Sequence, residues 1–238
     1  MKDWILDIHT HTIASGHAYG TIREMAFEAG QRGIRLLGLT EHAPGTPGTC
    51  DPLYFRNLKV VPKELYGVKI VHGCEINVLN GGRLSLDEEY FKYISYGIVG
   101  IHMICYENAG IKKNTENLIA CMKHPKVHFV SHPDDDHTPL DYDELVPAAR
   151  EYGVALEVNN SSLVKKEKRL NCCENYRKML ELCTQYGTQV FIGSDAHDPS
   201  WVGEFSLARE LISSVGFDEE LIINNDIGKF EQLTGLRV

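Results

Sequence analysis

The sequence predicts an α/β barrel of seven strand–helix units, closed or nearly closed, forming one domain over residues 1–238. Three observations carry this reading. Seven short apolar runs recur along the chain, helix-like stretches separate them, and nearly every run ends on a histidine, glutamate or aspartate. A continuous apolar run of about four to eight residues reads as a strand buried on both faces. Alternation of such strands with helices gives a parallel sheet with the helices outside. A length of 238 residues suits one barrel, since these commonly occupy roughly 200–250 residues.

The elements follow in order. Trp4-Ile5-Leu6-Asp7-Ile8 starts a strand over 4–9 that ends on His9 and His11, with His17 in the next loop. A helix over 21–32 leads to a strand over 35–40, and His42 follows it. Ala43-Pro44-Gly45-Thr46-Pro47-Gly48 is turn-rich and belongs at the rim of the barrel. A short helix near 58–65 precedes a strand over 68–74, after which comes Glu75. Asn80-Gly81-Gly82, flanked by apolar residues, reads as a small hairpin. A helix over 87–93 precedes the strand 95–101 and His102, and a helix over 114–123 precedes the strand 127–131 and His132. Asp141 and Asp143 open a helix over 141–152, with Leu145, Val146, Ala148 and Ala149 at helical spacing. The strand 154–159 ends in Glu157-Val158-Asn159-Asn160-Ser161-Ser162, polar groups suited to substrate contacts. A helix over 174–186 leads to the last strand, 189–194, which ends on Asp195 and His197. Helices near 204–214 and 226–234 close the chain.

Composition narrows the function. Hydrophobic residues make up 43% and charged residues 24%, an ordinary globular balance. No run approaches the roughly 18 apolar residues of a membrane span, and no secretory signal pattern precedes the first strand. The seven cysteines are odd in number and lack CxxC spacing. They read as reduced thiols of a cytoplasmic protein, with the adjacent Cys172 and Cys173 an incidental pair on one helix. A net charge of -9 argues against nucleic acid as the main partner, which needs a basic footprint.

In parallel barrels the chemistry sits in loops at the C-terminal ends of the strands. His9 and His11, at i and i+2 of one strand, face the same way and can converge on one ion. Asp195 and His197 repeat that geometry. Taken singly these are weak signals. Together His9, His11, His17, His42, Glu75, His102, His132, Asp195 and His197 place seven of the eleven histidines at one end of the predicted barrel. His72 and His128 precede their strand ends and face the helix layer, His124 lies in a connection, and His137 reads as a solvated loop histidine. Nine ligands exceed the needs of one or two tetrahedral ions and suit three divalent ions sharing a carboxylate. With Glu75 and Asp195 these leave roughly +4 in the cleft, a field suited to a phosphate group. Imidazole and carboxylate without thiolate suit zinc first, with manganese and iron open. Lys165, Lys166, Lys168 and Arg169 read as a solvated helix start rather than a phosphate clamp.

Asp7-Ile8-His9-Thr10-His11-Thr12, His17-Ala18-Tyr19, Thr40-Glu41-His42, Gly73-Cys74-Glu75-Ile76-Asn77, Ser131-His132-Pro133, Glu157-Val158-Asn159-Asn160-Ser161-Ser162 and Gly193-Ser194-Asp195-Ala196-His197 together resemble the motifs of the PHP (polymerase and histidinol phosphatase) family. The match runs in order from about residue 5 to 210 and is nearest to the stand-alone YcdX-type bacterial phosphatases. The resemblance implies a distorted (β/α)7 barrel with a trinuclear metal centre. It implies that His9, His11, Glu75 and Asp195 hold one ion and His17, His42 and His197 a second. Glu75 would bridge to a third ion, completed by His102 and His132. Met103-Ile104-Cys105 departs from the family pattern after His102 and leaves the contacts of that loop in doubt.

The expected activity is hydrolysis of a small phosphorylated metabolite, histidinol phosphate among the candidates. A hydroxide held between ions would attack phosphorus in line. Asp195 would orient or accept the water proton, and Glu75 would bridge. Three alternatives stand beside it: an amidohydrolase-type enzyme, a phosphodiesterase or nuclease, and a metal-dependent regulatory or binding module. Amidohydrolase-type sites commonly use a bridging modified lysine where this chain offers Glu75.

Overall fold

The computed structural model describes residues 2–238. Seven parallel strands form the sheet in chain order: β1 (Leu6–Thr10), β2 (Leu36–Leu39), β3 (Val68–Leu79), β4 (Tyr96–Gly100), β5 (Val127–Val130), β6 (Ala155–Asn159) and β7 (Val190–Gly193). Eight α-helices accompany them: α1 (Ile22–Gln31), α2 (Leu53–Asn57), α3 (Ile111–Met122), α4 (Tyr142–Tyr152), α5 (Asn160–Val164), α6 (Cys172–Tyr186), α7 (Ser206–Val215) and α8 (Ile227–Thr234). This is the distorted seven-stranded barrel that the sequence predicts.

Local chemistry explains most boundaries. Thr21 and Glu24 form a reciprocal capping box at the start of α1, satisfying two backbone donors that the first turn leaves free. Asp141 caps α4 through the Asp143 N–H, and Gly153 ends it in the left-handed conformation. Gly81 and Gly82 both take positive φ in the hairpin, which pairs Val78 with Leu84 and Leu79 with Arg83. The helix expected over 58–65 lies earlier, as α2 and a 3₁₀ turn at Leu58–Val60. Pro62 disfavours helical backbone at the residue before it. The segment expected as a helix over 87–93 is 3₁₀ at Glu88–Tyr93. The five-residue α5 has no counterpart in the sequence reading.

One strand differs in kind. β3 runs twelve residues, well past the expected end at 74. Its first half pairs with β2, Lys69–His72 against Leu36–Leu39, and its second half with β4, Gly73–Asn77 against Tyr96–Gly100. Glu75 therefore lies inside a strand rather than beyond it.

The core has two layers. One lies between sheet and helices and includes Leu37, Leu39, Ile76, Leu145, Met179 and Leu180. The other fills the barrel with Leu6, Ile8, Leu36, Tyr96, Ile98, Phe129 and Phe191. Phe230 of α8 enters this inner cluster, with ring centroids 5.6 Å from Tyr96 and 6.1 Å from Phe129. Tyr96 crosses the interior because Gly38 and Gly73 leave it room: a Cβ on either would lie within 3 Å of its ring or hydroxyl. Its hydroxyl donates to the Ile8 carbonyl at 2.8 Å.

Closure is unequal along the barrel. Near the strand tops β7 meets β1 directly, through Asp195 N–H to the His9 carbonyl and His11 N–H to the Ala196 carbonyl, both 2.9 Å. Lower down, Asn224 stands between them. Its Nδ2 donates to the Leu6 and Ile192 carbonyls, and its Oδ1 accepts from Ile192 N–H. Its own carbonyl accepts from the Ile5 and Leu6 N–H groups. Asn224→Ala would leave three buried main-chain groups unpaired, each costing about 1–3 kcal/mol. The expected loss, after partial relaxation, is about 2–3 kcal/mol in urea unfolding, with an unchanged m-value.

Candidate metal centre

The site starts from an irregularity in β1. Asp7 pairs with Leu37 and Thr10 with Leu39, so three steps on β1 oppose two on β2. This bulge breaks the alternation of faces. Leu6 and Ile8 point into the barrel, and His9 also faces inward, against Glu157 and Glu75. Thr10 and Thr40 repair the ladder. The Thr10 hydroxyl donates to the Gly38 carbonyl at 2.8 Å, and the Thr40 hydroxyl donates to the Thr10 carbonyl at 3.1 Å. Two further positions carry backbone strain: His132 has φ 30° and Asp195 has φ 51°, left-handed values that cost non-glycine residues.

All nine side chains singled out by the sequence meet in one cluster, with Glu75 at its centre. Glu75 Oε1 lies 2.9 Å from His132 Nε2, 3.2 Å from His102 Nε2 and 3.4 Å from His9 Nε2. Its Oε2 lies 2.9 Å from His42 Nδ1 and 3.5 Å from His11 Nε2. The Ser131 hydroxyl donates to Oε1 at 2.7 Å. Asp195 Oδ1 is 3.3 Å from His11 Nε2 and 3.7 Å from His9 Nε2. His197 Nε2 lies 3.1 Å from His17 Nε2, the most exposed member. Ligand atoms of three trios fall within 4.8 Å of one another: His9, His11 and Asp195; His11, His42 and His197; His42, Glu75 and His102.

The surroundings fix which imidazole nitrogen faces inward. Glu157 Oε1 accepts from His9 Nδ1 at 2.7 Å. The Ser15 hydroxyl gives its proton to Glu41 at 2.6 Å, so it is left to accept from His11 Nδ1 at 3.0 Å. Asn77 spends its amide donors on Pro44 and Ser85, so its Oδ1 accepts from His102 Nδ1 at 2.8 Å. In each neutral ring the remaining nitrogen carries a lone pair toward Glu75 or Asp195. His9 Nε2, His11 Nε2 and His42 Nδ1 are buried without a hydrogen-bond partner.

Electrostatics follow the same geometry. Burial opposes charge on His9, but Glu157, Glu75 and Asp195 outweigh it and raise its pKa well above the usual value. Burial, with His42 and His197, pushes His11 well below it. Glu75 and Asp195 stay well below the usual carboxylate range despite burial, held there chiefly by His9 with other imidazoles of the cluster.

Two sequence readings need correction. Glu157 is fully buried behind His9 and also accepts from the His132 N–H at 2.7 Å. It supports the cluster and is not placed for substrate contact. Its signal was a charged residue at alternate spacing with Ala155 and Asn159 on a buried strand. The basic run is not uniformly solvated either. Lys166 and Lys168 are exposed, whereas Arg169 packs on buried Asp134 through Nε–Oδ2 and Nη2–Oδ1 contacts of 2.8 and 2.7 Å. Arg169 and Lys165 line the cavity of about 590 Å³ that also contains Glu75, Asp195 and His197. Ile104 lines that cavity, and both it and Met103 beside it are exposed. His72 and His128 are strand neighbours of the inward-facing Val71 and Phe129 and so alternate to the helix side, His124 pairs with Glu88, and His137 is exposed on Asp135. All seven cysteines are free thiols.

A parallel α/β barrel with a histidine–carboxylate cluster at its C-terminal mouth defines the class: barrel proteins with a candidate metal centre. Within that class the chain belongs to the PHP domain family, whose family model matches residues 7–214. It is 39% identical over 230 residues to a "Probable phosphatase" of Thermoanaerobacter sp. (strain X514), covering 96% of this chain and 93% of the relative. A "Probable phosphatase" of Caldicellulosiruptor bescii is 37% identical over 227 residues, with 94% and 93% coverage. The fold is also similar to that of the histidinol phosphate phosphatase of Lactococcus lactis, solved with zinc, L-histidinol and phosphate. That likeness has TM-score 0.60 at 18% identity and covers 90% of this chain and 95% of that one.

Proposed function

We propose that this protein is a metal-dependent phosphatase that hydrolyses small phosphomonoesters at a centre of three divalent ions. One observation carries the reading: imidazole lone pairs, fixed from behind by Glu157, Ser15 and Asn77, face the carboxylates of Glu75 and Asp195 at 3.2–3.7 Å. Lone pair against anion is repulsive unless a proton or a metal cation lies between them, and at His11 burial and the neighbouring imidazoles disfavour the proton. The donors are nitrogen and oxygen only, which fits zinc, with manganese and iron as alternatives. His9, His11, Glu75 and Asp195 would hold one ion, His17, His42 and His197 a second, and Glu75, His102 and His132 a third. Such ions lower the pKa of bound water and neutralise charge on phosphoryl oxygens.

The chain's own groups supply the rest. Glu157 and Ser15 hold His9 and His11 in the tautomer that leaves Nε2 free. Asp195, whose side chain is 15% exposed at the mouth, orients the attacking water and takes its proton. Lys165 adds positive charge to the cavity wall and favours a dianion over a monoanion, whereas the charge of Arg169 is offset by Asp134.

Elemental analysis after purification without chelators should find close to three divalent ions per chain; one or fewer after reconstitution would sink the trinuclear reading. The metal-replete protein should turn over p-nitrophenyl phosphate faster, by kcat/KM, than its bis-ester, single-stranded DNA or a cyclic amide. Inorganic phosphate should compete, and chelators should abolish turnover reversibly. Faster diester or amide cleavage would move the assignment to a nuclease or amidohydrolase. Glu157→Gln, which removes the charge behind His9, should weaken metal binding roughly 10–100-fold in chelator competition. Unaltered affinity would remove Glu157 from the support of the centre.

A further inference from the structure

His132 keeps a left-handed φ of 30°, a conformation that persists in a residue with a Cβ only where its surroundings enforce it. Two charged side chains enforce it here. The His132 N–H donates to Glu157 Oε2 at 2.7 Å, and its carbonyl accepts from Arg169 Nη2 at 3.0 Å. The same carbonyl accepts from the Asp134 N–H at 2.8 Å, which closes a tight turn. Arg169 is fixed in its own place by Asp134, through Nε to Oδ2 and Nη2 to Oδ1. Around that pair, the Ser162 hydroxyl donates to Asp134 Oδ1 at 3.4 Å, and Asn175 of α6 donates to the Asp134 carbonyl at 2.9 Å. The loop after β5 is thus tied to the segment between α5 and α6. The tie falls where His132 turns its Nε2 to Glu75 Oε1, 2.9 Å away.

Burial makes such a pair expensive to keep. Asp134 is fully buried and the Arg169 side chain is 23% exposed. Ile101, Leu118, Pro133 and Leu140 share with them a cavity of about 260 Å³. An ion pair in apolar surroundings seldom adds net stability, because desolvation offsets the attraction. What it adds here is geometry. A planar guanidinium locked on one carboxylate has its remaining Nη2 hydrogen aimed in one direction, at the His132 carbonyl. The pair also brings no net charge. An arginine alone beside His132 would repel a cation held by that imidazole, and Asp134 cancels the repulsion.

Resting on the three-ion reading above, we infer that Asp134 and Arg169 are positioning residues for the ion shared by Glu75, His102 and His132. They set the His132 backbone so that Nε2 faces Glu75, and thereby decide how tightly that ion is held. In this role neither side chain contacts substrate.

The test uses the full chain equilibrated over a series of free zinc concentrations, with Arg169→Lys, His132→Ala and the two combined. Lysine keeps the charge but not the fork. Arg169→Lys should weaken one zinc ion of three roughly 10–100-fold in chelator competition and leave the other two within about twofold. The zinc concentration for half-maximal turnover of p-nitrophenyl phosphate should rise in step, while KM for the ester at saturating zinc stays within about twofold of the parent. On the His132→Ala background Arg169→Lys should weaken zinc by less than about twofold more, since the group it acts through is already gone. Should Arg169→Lys fail to fold, as read by urea unfolding, Asp134→Asn/Arg169→Gln removes both charges together and takes its place in the same comparison. Unaltered zinc affinity, a fully additive loss in the combined variant, or a raised ester KM with three ions bound overturns the positioning role and leaves the phosphatase reading intact. A parent chain that holds no third ion overturns both this role and the three-ion reading.

Discussion

Glu75→Gln is expected to lower kcat/KM by at least about a thousandfold and to strip metal from the protein, because the lost charge stabilises bound ions and the reaction they support. The reason lies in how many groups share this carboxylate. His42, His102 and His132 lie within 3.2 Å of its oxygens, His9 and His11 within 3.5 Å, and Ser131 donates to it. An amide keeps the shape but replaces one acceptor with a donor and removes the negative charge. His17→Ala offers the contrast, since His17 is exposed and sits at the edge of the cluster on His197. It should cost roughly tenfold, within the range of a weakened metal shell. Metal content by elemental analysis and turnover of both variants decide the matter. Full occupancy and full rate in Glu75→Gln would remove Glu75 from the centre of the site.

Phe230→Ala should have the largest effect on stability, about 3–5 kcal/mol, the usual cost of deleting a buried phenylalanine side chain. Phe230 is fully buried and seals the inner cluster among Tyr96, Phe129 and Ile223. Total stabilities run about 5–15 kcal/mol, so the variant would lose a large share. Phe230→Leu, which keeps most of the volume, should lose much less. Denaturant unfolding at fixed excess metal measures both, because bound ligand otherwise shifts apparent stability. The active-site chemistry should survive per folded molecule, since Phe230 packs at the opposite end of the strands. A loss below about 1 kcal/mol would mean that α8 does not plug the barrel.

The sequence was most legible where side-chain chemistry and strand period agree. Every predicted strand has its counterpart, and His9, His11, His42, Glu75 and Asp195 converge because each follows or ends an apolar run. What stayed hidden depended on pairing between distant segments. The bulge that turns His9 inward is a mismatch in count between β1 and β2, which neither segment reveals alone. The length of β3 comes from a change of partner, not from its composition. Glu157 looked like a substrate-facing polar group because its neighbour His9 lies 148 positions away. Arg169 looked solvated within a basic run, and only the buried Asp134 opposite it shows otherwise. Tyr19 and Trp201 share a cavity only because the loops after β1 and β7 meet.

Asn224 joins Leu6 to Ile192 from 218 positions further along than Leu6, and this has a consequence for synthesis. A ribosome delivers β1 long before its bridging partner. Until residue 224 emerges, the edges of β1 and β7 remain unsealed, and exposed strand edges invite pairing with other chains. Contacts so distant in sequence also slow folding once the chain is complete. The nascent protein therefore passes through a long interval in which its first histidines are made but the carboxylate across the seam, Asp195, is not yet available to them. Truncation before Asn224 should accordingly produce insoluble chains rather than a smaller folded barrel.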